Sequence, residues 1–249
     1  MIQNHPIRLL VFDIDGVLTR GEGKALDLDL LKGLALLNQA ARRDPALPAV
    51  TLCTGRPSPY IEVMLQAIDG HLPGIFENGA GLYVPTDYKF LPHPDLQNGT
   101  DMWAIRQRLE ETLLKDGTAY FQPGKEFTLT ILPTNPANKD RLHDQTKAAL
   151  NMYKGTFDLA SSPSCLNILP RNIHKAKGIE FLCDQTGYSP SEMLGVGDSG
   201  VDIQFLSLVG FSAAPANAEQ EIKKIVQYVS PYQTGEGVRD ILKRFHIWS

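Results

Sequence analysis

The chain has 249 residues, 43% hydrophobic and 21% charged, with 21 Gly, 17 Pro and a formal net charge of −4 from 24 Lys+Arg against 28 Asp+Glu. At about 150 residues per domain this is one large domain or two smaller ones, and the balance excludes a disordered, collagen-like or disulfide-scaffold chain. So mild a charge also gives no electrostatic basis for binding nucleic acid or a membrane surface. Cys53, Cys165 and Cys183 are scattered and form no C-x-x-C pair, so they read as reduced, packed thiols rather than a disulfide framework or a zinc site. Met1–Pro6 lacks the basic stretch and apolar run of a secretory leader, and no apolar run approaches the roughly 18–20 residues that span a bilayer. The expectation is a cytoplasmic protein, monomer or homodimer, with neither membrane nor nucleic acid as partner.

In chain order, Ile7 to Phe12 (IRLLVF) is a nearly continuous apolar run, the pattern of a strand buried on both faces. Leu30, Leu31, Leu34 and Leu37 then recur at helical spacing within a helix expected over Leu26 to Arg42. A strand over Ala49 to Cys53, a helix over Tyr60 to Ile68 and a short strand over Gly74 to Glu77 continue an alternation that argues an open parallel α/β sheet. From Leu82 to Leu169 the turns become richer in Pro, Asn and Gly. Helices over Asp101 to Lys115 and Asn138 to Met152 there interleave with strand-like Phe127 to Leu132, Thr156 to Leu159 and Cys165 to Leu169. From Lys175 the first style returns, with helix Lys175 to Thr186, strand Met193 to Gly197, helix Val201 to Leu208, strand Val209 to Ala213 and a last helix Val238 to Arg244. The expected architecture is an α/β core made of residues 1–81 and 170–249, split by an α+β insertion over residues 82–169.

Open parallel sheets bind ligands at the carboxyl ends of their strands, so the residues following each core strand carry the functional information. Asp13-Ile14-Asp15-Gly16-Val17-Leu18-Thr19 follows the first, Thr54-Gly55-Arg56 the second, and Gly197-Asp198-Ser199-Gly200-Val201-Asp202 the later one, with Lys175 and Lys177 opening the preceding helix. Carboxylates gathered in one crevice repel and need a cation. Oxygen-only ligands, with no His or Cys among them, suit Mg²⁺. Lysine and threonine beside such an ion can hold the oxygens of a phosphoryl group, which is equipment for phosphoryl transfer. An aspartate nucleophile would divide the displacement through an aspartyl phosphate, and Asp15 would exchange protons with the leaving group and water. A rival reading takes Gly195-Val196-Gly197-Asp198-Ser199-Gly200 as a dinucleotide fingerprint. Asp198 counts against it, because it brings negative charge to the place where a pyrophosphate needs N–H donors.

These motifs, in this order and each after its strand, resemble the haloacid dehalogenase-like (HAD) superfamily. The insertion between the second and third motifs, preceded by Glu77-Asn78-Gly79-Ala80, resembles the type IIB (Cof-like) branch, which carries an α+β cap at that place. The resemblance implies a Rossmann-like parallel-sheet core and a Mg²⁺-dependent phosphatase acting on a small phosphorylated metabolite, a sugar phosphate or related ester. It implies Asp13 as nucleophile, Asp15 as general acid/base, and Thr54, Gly55 and Lys175 as phosphate binders. It further implies Mg²⁺ on Asp13, the backbone carbonyl of Asp15 and Asp198, with Asp202 in or beside the coordination sphere. Lys175 is preferred to Lys177 because only from Lys175 do the following apolar residues, Ile179 and Leu182, keep the family's spacing. Arg56, Asn78, Lys125, Glu126 and Lys177 stand as candidate substrate contacts. The alternatives are a phosphomutase or phosphotransferase using the same nucleophile, or a non-catalytic Mg²⁺- or phosphate-binding protein.

Overall fold

The computed structural model describes residues 7–97, 100–162 and 164–248. Met1–Pro6, read above as no leader, lies outside them. The first part of the chain forms β1 (Leu9–Phe12), α1 (Leu28–Arg43), β2 (Ala49–Leu52), α2 (Ser58–Ala67), β3 (Gly74–Phe76), β4 (Gly81–Val84) and β5 (Lys89–Pro92). There follow α3 (Met102–Leu109), β6 (Ala119–Phe121), β7 (Leu129–Pro133), α4 (Lys139–Ala149), β8 (Phe157–Ser161) and β9 (Leu166–Pro170). The last part is α5 (Lys175–Thr186), β10 (Met193–Val196), α6 (Ile203–Leu208), β11 (Phe211–Ala214), α7 (Gln220–Ile225), β12 (Tyr228–Val229) and α8 (Thr234–Arg244).

Five strands make a parallel sheet in the order β12-β11-β10-β1-β2. Leu10 and Phe12 of β1 pack with Leu30, Leu34, Ile61 and Ile241 in one apolar cluster. Leu9 and Val11 pack with Ile179, Leu182 and Phe205 in another. A strand covered on both faces needs an apolar side chain at every position, hence the unbroken run in the sequence. Each such side chain contributes roughly 1.5–3 kcal/mol through burial. Asp27 caps α1 by accepting from the Leu30 N–H at 2.9 Å, so the helix starts at Leu28, later than its apolar spacing suggests. Arg239 of α8 fastens the same carboxylate at 2.7 and 2.9 Å.

The strand expected at Gly74 to Glu77 is not a full member of the parallel sheet. β3 meets the end of β2 through a single bridge, Cys53 to Ile75, and pairs antiparallel with β4, which pairs with β5. The reason is the turn that follows. Glu77, Asn78 and Gly79 take φ of 47°, 58° and 102°, and these consecutive left-handed residues reverse the chain at once. Leu82 and Leu91 of the resulting hairpin pack into the cluster that holds Leu9 and Val11.

A third sheet, four-stranded and antiparallel, has the order β6-β7-β9-β8. Leu129, Ile131 and Ile168 face Ile105, Leu109 and Leu142 of α3 and α4. Strand alternation sends Thr130 and Asn167 to the other face, where the Thr130 hydroxyl donates to Asn167 Oδ1 at 2.7 Å. The helix expected over Asp101 to Lys115 is α-helical only to Leu109 and continues as a π-turn over Glu110–Leu114, where the Thr112 hydroxyl donates to the Arg108 carbonyl at 2.7 Å. Among the described residues no helix is long and apolar enough to cross a membrane.

Candidate active site

Asp13 is the first residue after β1, held there by its N–H donating to the Val196 carbonyl of β10 at 2.9 Å. Lys175 is the first residue of α5, whose N-cap is His174. The Lys175 ammonium is buried, 2.9 Å from Asp13 Oδ1 and 2.6 Å from Asp202 Oδ1. The second Asp202 oxygen accepts from the N–H groups of Asp198 and Ser199, both at 3.0 Å. Asp202 thus holds the lysine with one oxygen and the Asp198 loop with the other. Those two N–H groups are donors that a pyrophosphate would use at this turn, so the dinucleotide reading finds them already taken.

Asp198 closes the arrangement. Gly16 has φ +83° and its missing Cβ would overlap the Asp198 carboxylate, so only glycine lets that carboxylate lie against the backbone beside Asp15. Oxygens of Asp13, Asp198 and Asp202 lie within 4.8 Å of one another. Burial pushes the Asp13 carboxyl up to about 7, with Lys175 opposing and Asp202 adding to the rise. Burial, then the charges of Asp13 and Asp202, push Asp198 up to about 8. For Lys175, burial would lower the affinity for its proton, and the two adjoining aspartates more than reverse this. One ammonium therefore faces three carboxylates, and an all-oxygen donor set left with excess negative charge is suited to a hard divalent cation.

The turn after β2 faces this cluster. Thr54 is buried, its N–H donates to the Ile75 carbonyl at 2.9 Å and its hydroxyl accepts from the Arg56 N–H at 3.1 Å. Arg56 grips both oxygens of Asp15, Nε at 2.6 Å and the second nitrogen at 2.9 Å, while its guanidinium lies 4.9 Å from the Tyr60 ring centroid. Asn78 reaches back over Gly55, and its buried Nδ2 has no hydrogen-bond partner among the described residues. Asp13, Asp15, Thr54, Gly55, Arg56, Asn78, Lys175 and Asp198 all border one cavity of about 320 Å³.

Three sequence candidates fall elsewhere. Lys177 lies two residues on from Lys175, on the opposite side of the helix, and pairs with Glu180 at 2.8 Å, outside the cavity. Glu126 is exposed, and its backbone N–H, not its carboxylate, makes the inward contact. The Lys125 ammonium donates to the Gly55 carbonyl instead of lining the cavity. Burial brings Lys125 down to about 8 against the opposing charge of Glu77. The opposite wall of the cavity is Gln122, from the stretch 122–126 that precedes a strand of the antiparallel layer, with Ser162, Ser164, Cys165 and Asn167; these last four are not sequence candidates, nor is Glu22, whose carboxylate accepts from Ser164 Oγ at 3.0 Å. Only the alternation of Thr128 and Thr130 with Leu129 and Ile131 hinted at a polar inner face.

The haloacid dehalogenase-like hydrolase profile matches residues 87–242. The chain is 30% identical over 242 residues, 97% of its length and 100% of the relative's, to a phosphoglycolate phosphatase of Methanothermobacter thermautotrophicus. It is 25% identical over 239 residues, 95% of the chain and 96% of the relative, to a phosphoglycolate phosphatase of Methanopyrus kandleri. Among solved structures, the Thermoplasma acidophilum 0175 protein superposes with a TM-score of 0.75 at 21% identity, covering 98% of this chain and 100% of that one. A HAD/COF-like hydrolase from Plasmodium vivax also gives 0.75, at 20% identity, with 98% and 97% covered. The chain belongs to the haloacid dehalogenase-like hydrolase family.

Proposed function

We propose that this enzyme is a phosphatase that hydrolyses a small phosphate monoester through a phosphoryl group carried on Asp13, with the antiparallel layer acting as a cap over the parallel-sheet core. The observation that carries the reading is the buried Lys175 ammonium 2.9 Å from Asp13, with Asp198 close by. A nucleophilic carboxylate, a fixed cation for the phosphoryl oxygens and an acidic pair able to hold a metal share one cavity. Mg²⁺ held by Asp13, Asp198 and the Asp15 carbonyl would offset negative charge on the phosphoryl oxygens and relieve the repulsion between the two carboxylates.

An Asp13 oxygen attacks phosphorus and the ester P–O bond breaks, while Thr54, the backbone N–H of Gly55 and Lys175 receive the phosphoryl oxygens. The departing alkoxide takes a proton from Asp15. In the second half Asp15 removes a proton from water, whose oxygen attacks phosphorus, releasing phosphate and restoring Asp13. Both Asp15 oxygens are engaged by Arg56, so this role needs one of them to come free when the ester is bound. Asp202 keeps Lys175 and the Asp198 loop in place and leaves no oxygen unbonded.

A cavity of about 320 Å³ suits a small ester rather than a phosphoprotein, and the names of the full-length relatives point to phosphoglycolate or a similar phosphorylated hydroxy acid. The test is phosphate release from 2-phosphoglycolate and a panel of sugar phosphates with Mg²⁺, with EDTA as control. Free phosphate at excess substrate, abolished by EDTA, supports hydrolysis. An isomerised ester without free phosphate would make the enzyme a mutase, and no turnover of any ester would sink the reading.

A further inference from the structure

The core and the cap are joined by a buried charge. We infer that Glu77 is a positioning residue whose carboxylate docks the cap turn 126–128 onto the phosphate-binding turn Thr54–Arg56 and so holds the cap closed over Asp13. Glu77 is completely buried. Its Oε1 accepts from the Glu126 N–H at 2.8 Å. Its Oε2 accepts from the N–H groups of Phe127 at 3.0 Å and Thr128 at 2.8 Å, and from the Thr128 hydroxyl at 2.8 Å. All of these donors come from the cap. Lifting the cap would strip a buried carboxylate of these hydrogen bonds together, a costly event that favours the docked state.

The other end of the clamp is tied to the catalytic turn. The Glu77 N–H donates to the Arg56 carbonyl and the Asn78 N–H to the Thr54 carbonyl, both at 3.0 Å. Lys125 of the same cap turn adds its bond to the Gly55 carbonyl, and Phe127 stacks on Phe76 with centroids 6.3 Å apart. The left-handed backbone of Glu77, uncommon for a residue with a side chain, is what carries its carboxylate toward the cap. One residue thus links the docking of the cap to Thr54, and through Arg56 to Asp15.

The catalytic consequence rests on the phosphatase reading, whereas the docking itself does not, so the experiment has two arms. In Glu77→Gln an amide NH₂ replaces one accepting oxygen and confronts the cap donors; Thr128→Val removes the hydroxyl donor alone and is the milder variant. Hydrogen exchange of the 126–128 amides is expected to quicken about tenfold or more in Glu77→Gln and about threefold in Thr128→Val, with β1 and β9 unchanged. In the kinetic arm, kcat/KM for 2-phosphoglycolate is expected to fall about 30-fold in Glu77→Gln. It should fall less than about threefold for p-nitrophenyl phosphate, whose acidic leaving group depends less on Asp15. Unchanged exchange at 126–128, an equal rise in β1, or an equal fall for both esters would overturn the inference. If the unaltered enzyme released phosphate from neither ester, the phosphatase reading would fail while exchange still decided the docking.

Discussion

The carboxyl edge of the parallel sheet and the inner face of the antiparallel cap border the same cavity but are built from opposite materials. The edge is charged: Asp13, Asp15, Arg56, Lys175, Asp198 and Asp202, several of them buried and each bonded or close to another of the set. The cap face is uncharged: Gln122, Ser162, Ser164 and Asn167. Charges can be kept in a low-dielectric interior only where rigid backbone holds their partners in place, and the ends of adjacent parallel strands provide that. The cap needs only to exclude water and offer hydrogen bonds to whatever the phosphate is attached to, so a polar neutral surface suffices. On the proposed function the lesson is a division of labour, with reaction chemistry at the strand ends and selection on the cap.

Substitutions in the two regions should therefore differ sharply. Asp13→Asn is expected to reduce turnover at least about a thousandfold with the fold retained, because it removes the proposed nucleophile and also one of the mutually repelling charges. A steady-state assay with circular dichroism checks this, and a variant keeping most of the wild-type rate would refute the role. Lys175→Met should abolish turnover and cost about 3–5 kcal/mol in urea unfolding, since Asp202 and Asp13 would remain buried without their ammonium. Arg56→Lys replaces a two-point grip on Asp15 by a point charge, and kcat should fall about tenfold with the stability little changed.

On the cap side the effects should be smaller. Burial brings Lys125 down to about 8, below the value near 10.4 of the unfolded chain. The folded state then binds fewer protons between about pH 8 and 10.4, so this group's contribution to stability rises with pH through that window and is lost as pH falls through about 8. Lys125→Met should remove that part of the slope, measured by chemical denaturation from pH 7 to 10; an unaltered slope would contradict the burial of the ammonium. Ser164→Ala breaks a solvent-exposed contact to Glu22 and should alter stability by less than about 1 kcal/mol and rate by less than about twofold. A large effect there would mean that the mouth of the cavity matters more than the comparison allows.

β1, β2 and β10 at the centre of the parallel sheet were legible because burial on two faces leaves an apolar run, and Asp13, Thr54 and Asp198 were nominated because each stands within two residues of the end of such a run. Lys175 was preferred to Lys177 through the family's spacing of the apolar residues that follow it, and the two face different ways, one onto Asp13 and the other onto Glu180. β4, β5, β6 and β12 were not anticipated. They are only two to four residues long, too short for an alternation to be read from the chain. The turn at Glu77 was visible as Glu-Asn-Gly, yet its hydrogen bonds to residues 126–128 were not, because no local pattern records a contact across some fifty positions.

Periodicity and motif order, both local properties of the chain, were enough to determine the fold class and to nominate the residues at the strand ends. Which of those residues touch was decided only by the folded molecule: Arg56 on Asp15, Lys175 between Asp13 and Asp202, Glu77 beneath the cap. The physical reason is that strand and helix formation depends on neighbours in sequence, whereas the partner of a buried charge is set by how separate elements pack, which local patterning does not encode.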